Sequence, residues 1–133
     1  ARPQDADHPV LDQLLDRLEA LADASYVQGQ NTSVQSFVET NENFHSAIAQ
    51  GSRNPRLYGL VMSHLEECAR FFYMGAQMRD VNPETLADHH RIVDVLRRRD
   101  PEQARLAMVE HNENTRRGLL SKLIEQGSAA LTL

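Results

Sequence analysis

Apolar side chains recur at intervals of three and four residues along nearly the whole chain, the spacing that gathers them on one face of a helix. Five segments carry the pattern. Val10, Leu14, Leu18 and Leu21 mark a helix from about Pro9 to Ala24. Val34, Phe37, Val38, Asn41, Phe44, His45 and Ile48 mark a second, from about Ser33 to Gln50, closed by Gly51. Leu57, Leu60, Val61, His64, Leu65, Cys68, Phe71 and Phe72 place a third over about Pro55–Gln77. Leu86, His89, Ile92, Val93 and Leu96 place a fourth over about Pro83–Arg98. Ala104, Ala107, Met108, His111, Thr115 and Leu119 place a fifth over about Pro101–Gln126.

Punctuation supports these boundaries. Pro9, Pro55, Pro83 and Pro101 stand at helix starts, where a missing N–H costs nothing, and Asn54, Asn82 and Asp100 precede three of them as N-caps. No segment alternates like a strand. Short connections imply antiparallel neighbours, so the expected fold is an all-α, antiparallel helical bundle of five or more helices forming one domain over residues 1–133. The small, apolar tail from Gly127 to Leu133 is expected to fray.

Composition changes this picture little. A chain of 133 residues can bury a core without staples. Its charge of −5 disfavours a phosphate backbone as a direct partner. The single Cys68 excludes an internal disulfide and reads as a small core residue, in keeping with a reducing cytoplasm. No signal peptide is visible, and no apolar run approaches the roughly 18 residues of a membrane span. The expectation is therefore a cytoplasmic protein without a membrane partner.

The histidines add chemistry. His8 reads as a solvated residue at a helix start, and His90 points away from the stripe of His89. His45, His64, His89 and His111 lie on apolar stripes. Asn41 stands one turn before His45 on the same face. Imidazole is the commonest protein ligand for divalent transition metals, and three of them with one oxygen donor leave coordination positions open. The candidate metal ligands are thus Asn41, His45, His89 and His111; the ion is Zn, Ni or Fe. His64 and Arg70 on the third helix are candidate pocket-lining, ligand-binding residues, although a core hydrogen bond also accounts for His64. Asp88 and Glu110 are expected to face away from the stripes. Hydrogen-bonded core histidines remain the structural alternative at each position.

Other sites do not fit. A di-iron carboxylate bundle needs two Glu-x-x-His motifs, and only Glu42–His45 qualifies. There is no Gly-rich phosphate loop, Cys pair or Gly-x-Ser-x-Gly elbow.

The run Asn41-Glu42-Asn43-Phe44-His45, with Asn54 and Leu57 after it, resembles a segment of the FCD domain, the effector-binding domain of FadR-subfamily GntR transcriptional regulators. Asp88-His89, Ile92, Asp100, Ala104, Met108 and His111 resemble that family's second half. The resemblance spans roughly residues 1–115. It implies an antiparallel bundle and a divalent metal held by one Asp or Asn and three His, here Asn41, His45, His89 and His111. It also implies a small carboxylate effector, often on the metal, that changes how a homodimer presents its DNA-binding domains. It implies no catalytic role.

Two departures follow. Asn41 stands where Asp is commoner, which removes a negative charge and leaves the site more attractive to an anion. The winged-helix DNA-binding domain and the family's usual first helix, which often supplies an effector-binding Arg, are expected to lie outside this chain, as in a fragment of a longer regulator. Two alternatives stay open: a helical metalloenzyme using three His to activate water, and a purely structural oligomerisation bundle.

Overall fold

The computed structural model describes residues 9–24, 34–78 and 82–131. These form five α-helices: α1 (Pro9–Ala24), α2 (Val34–Gly51), α3 (Pro55–Met78), α4 (Asn82–Arg97) and α5 (Pro101–Leu131). The described residues contain no strand. No helix among them is long and apolar enough to cross a membrane.

Two connectors share one design. At Ser52-Arg53-Asn54-Pro55 and Arg98-Arg99-Asp100-Pro101 an Arg adopts a left-handed conformation, with φ of 55° and 56°. The turn closes through Arg53 N–H to the Gln50 carbonyl and Arg99 N–H to the Leu96 carbonyl. The next residue then caps the following helix. Asn54 Oδ1 accepts from Leu57 N–H, and Asp100 Oδ1 accepts from Gln103 N–H, each at 3.1 Å. Each satisfies an N–H that the first helical turn cannot. The chain reverses within three residues, which sets α2 against α3 and α4 against α5.

The helices close a ring in the order α1, α2, α3, α5, α4 and back to α1. Leu15, Leu18 and Ala22 of α1, Phe44 and Ala47 of α2, Ile92, Val93 and Val95 of α4, and Ala107 of α5 form the buried core. Gly51 sits so close to α1 that a Cβ there would collide with the Leu14 side chain. Arg97 of α4 bonds to Asp16 and Glu19 of α1 at 2.9 and 2.6 Å, bracing the α1–α4 contact from outside.

Two expectations change. The fifth helix continues through Gly127 to Leu131 instead of fraying there. A single Gly costs a helix only about 1 kcal/mol, and Ala129, Ala130 and Leu131 are strong helix formers. The stripe of α3 is also less buried than its spacing predicts. Leu57, Leu60 and Phe71 are exposed, and Val61, Leu65 and Cys68 are only partly buried. Among the described α3 side chains none is fully buried, so Cys68 lies at the edge of the core.

Candidate metal centre

Histidines from three helices meet in the middle of the ring. His45 of α2, His89 of α4 and His111 of α5 each offer a nitrogen, and these atoms lie within 4.8 Å of one another. Among the described residues the buried polar side chains are Asn41, His89 and His111, with 8%, 0% and 6% of their surface exposed. His45 is partly buried. Asn41 lies one helical turn before His45, on the same inward face of α2. Burial of polar side chains is costly unless they find partners, so the gathering of three histidines at one point calls for a cause.

The local frame is aromatic. The Phe44 ring, fully buried, stacks on His89 with centroids 4.0 Å apart and planes 10° from parallel. His45 and His111 stack on each other at 5.3 Å, and His89 stands edge-on to both. Burial holds the His45 imidazole neutral, with its pKa lowered to about 3, and His111 nearby adds to the effect. Burial likewise lowers His89 to about 2, helped by His45, His111 and His90. Neutral imidazole is the form that ligates a cation.

The donor set fits a metal on three observations. His89 is fully enclosed, and neither ring nitrogen has a hydrogen-bond partner. An imidazole cannot be buried in that state without losing about 1–3 kcal/mol per unsatisfied group. Second, His45 Nε2 and His111 Nε2 are 3.3 Å apart. Nitrogens each about 2.1 Å from one ion stand about 3.0–3.4 Å apart for angles between a right angle and a tetrahedral one. Third, the far nitrogen of His111, Nδ1, donates to Asp88 Oδ2 at 2.8 Å. A ligating histidine commonly carries such a carboxylate, which fixes the ring and its tautomer so that the opposite nitrogen faces the ion.

Asp88 corrects the expectation that it faces away from the site. It precedes His89 by one residue, hence about 100° around α4, and that rotation turns it toward α5. The acidic-His pair in the sequence is the signal that points to it. Glu110 does face outward, where it pairs with Arg91. His90 pairs with Asp23 of α1 at 2.8 Å, on the outer side of α4.

The candidate effector contacts on α3 lie elsewhere. The side chain of His64 is 75% exposed and lies 3.8 Å from Glu67, so it is neither in the histidine cluster nor a buried core residue. Arg70 is exposed, with its guanidinium over the Phe71 ring. The apolar stripe of α3 misplaces His64 because this helix packs less deeply than the others. His8 lies outside the described residues.

No curated protein and no solved structure matches the chain. The family model of the FCD domain does match, over residues 1–114, a span that contains Asn41 and all three clustered histidines. The chain belongs to the FCD domain family.

Proposed function

We propose that this chain is the ligand-sensing and dimerisation domain of a FadR-subfamily GntR transcriptional regulator. His45, His89 and His111 hold a divalent ion, Zn, Ni or Fe, with Asn41 as the oxygen donor. When bound, the ion supplies a positive centre with open coordination positions for the carboxylate of a small organic acid. The protein's own part is to keep the His45 and His89 imidazoles neutral and to fix His111 through Asp88. The ligands come from α2, α4 and α5, so an acid bound there touches helices from across the ring. A ligand that contacts several helices can bind two packings unequally, which biases how a dimer presents its DNA-binding domains. Such a regulator would act on DNA in the cytoplasm.

The observation that carries the reading is His89, buried with both ring nitrogens unpartnered beside His45 and His111. A sensor is favoured over a catalyst because Asp88, the carboxylate bonded to the cluster among the described residues, is committed to His111. A water-activating site needs a general base free to take a proton.

Native mass spectrometry and elemental analysis of the purified protein test the proposal. One divalent ion per chain, lost in His89→Ala and His111→Ala, is expected. Small carboxylic acids should then bind the metal-loaded protein at least about tenfold more tightly than the metal-free protein. An unaltered metal content in both variants overturns the ligand assignment, and turnover of the bound acid overturns the sensor reading.

A further inference from the structure

The longest helix is apolar on two opposite faces. One face of α5 carries Ala104, Ala107, Met108 and His111 toward the ring's interior. Leu106, Val109, Leu120 and Ile124 fall on the opposite side, at helical spacing, and are 40%, 54%, 43% and 66% exposed. Single exposed apolar residues need no explanation, but four in line over roughly 27 Å of helix do.

This outer strip reads nearly the same in both directions about position 115. Leu106 and Ile124 each stand nine residues from it, Val109 and Leu120 six and five, and Glu113 and Arg117 two. A two-fold axis through that point would lay α5 antiparallel to its copy and set Leu106 against Ile124, Val109 against Leu120, and Glu113 against Arg117. Self-complementarity of this kind is what an isologous interface requires. The charges match as well as the apolar groups. Glu113 already bonds within its helix to Arg116 and Arg117, at 2.6 and 3.1 Å. Across the axis those two ion-pair clusters meet with opposite signs in register. A parallel pairing would instead set Glu113 against Glu113.

We infer that the outer face of α5 is the surface on which two copies of this chain pair, antiparallel, about a two-fold axis near Thr115. This deepens the dimerisation part of the proposed function and does not depend on the metal. Because His111 projects from the opposite side of the same helix, the interface and the metal centre share one rigid element.

Sedimentation equilibrium of the full chain, with Val109→Glu and Leu120→Glu as separate variants, tests the surface. Both substitutions sit on exposed positions, and circular dichroism should show unchanged helix content. Each is expected to raise the dimer dissociation constant at least about tenfold. Orientation is read by disulfide trapping in a Cys68→Ser background. Leu106→Cys chains mixed with Ile124→Cys chains should cross-link, whereas either alone should not, because like positions lie about 27 Å apart along the axis. A dimer that both Glu substitutions leave intact overturns the surface and leaves dimerisation standing. Cross-linking of Leu106→Cys chains with one another overturns the antiparallel arrangement. A wild-type chain that stays monomeric overturns the surface and the dimerisation reading together.

Discussion

Asp88 and His111 are joined across α4 and α5 by a 2.8 Å hydrogen bond that leaves His111 Nε2 turned toward His45. A carboxylate only accepts, so Nδ1 carries a proton, and in the neutral ring Nε2 is then the nitrogen with the lone pair. Asp88→Asn keeps the shape but lets the amide donate as well as accept, which permits the other tautomer. The expected result is a 10–100-fold loss of metal affinity, measured by competition with a chromophoric chelator. The 15N shifts of His111 in the metal-free protein should change from one protonated nitrogen to a mixture. Asp88→Glu should recover part of the affinity. A purely structural Asp88 would lower the melting temperature and leave the tautomer as it was.

His89 separates a metal site from a structural core histidine. Its ring is fully buried, lies against Phe44 and has no hydrogen-bond partner, so removing its polar atoms removes a cost. His89→Leu should leave the metal-free protein equally stable or stabilise it by about 1–2 kcal/mol, read by chemical denaturation. The same substitution should abolish the rise in melting temperature that added metal produces in the wild type. If His89 is instead held by hydrogen bonds in solution, the variant will lose stability without metal.

Stability of the metal-free domain should fall on mild acidification. The folded state holds His45 and His89 with pKa values of about 3 and about 2, below their ordinary 6.5. Below pH 6.5 the unfolded chain binds protons at these residues and the folded chain does not, so the unfolded state gains. Above about pH 6.5 neither state is protonated there and the contribution is constant. Each histidine should cost on the order of 1 kcal/mol per pH unit below that point, until the folded form titrates. Urea midpoints between pH 7 and pH 5 check this. Adding metal should shift the whole fall to lower pH, because the ion competes with the protons.

Helix periodicity and proline placement carry most of this architecture. The boundaries of α1 to α4 lie within a residue of those the spacing predicts, and prolines mark the starts of α1, α3 and α4. The clustering of His45, His89 and His111 was legible for a related reason: a polar residue on an apolar stripe is costly, so it marks a place where something compensates it. Asp88 was not legible from its stripe, because it reaches the site by a rotation about α4 that only the packing of α5 defines. His64 failed in the opposite sense. It shares a stripe with Leu57 and Leu60, yet that stripe lies largely at the surface of this chain, and periodicity says which residues share a face without saying what covers it. The two apolar faces of α5 show the same limit, since an inner and an outer stripe look alike in sequence.

The connector at Arg53 offers a stabilising change away from the site. Its φ of 55° places a side chain where only glycine is free of strain, and the turn is closed by its N–H to the Gln50 carbonyl at 3.1 Å. The left-handed conformation costs a non-glycine residue roughly 1–2 kcal/mol. Glycine removes that strain but has more freedom to lose on folding, about 0.5–1 kcal/mol. Arg53→Gly should therefore stabilise the domain by a net of about 0.5–1 kcal/mol in urea titration and leave metal affinity unchanged. Arg99, with φ of 56°, has the same backbone, yet its guanidinium reaches Asp12 of α1 at 3.4 Å. That bond is exposed and worth at most about 1 kcal/mol, so Arg99→Gly should gain less than Arg53→Gly, or nothing. Equal gains at both positions would mean that the Arg99–Asp12 pair contributes nothing to the contact between α1 and the α4–α5 connector. A loss at Arg53 would mean that strain is not what its positive φ records.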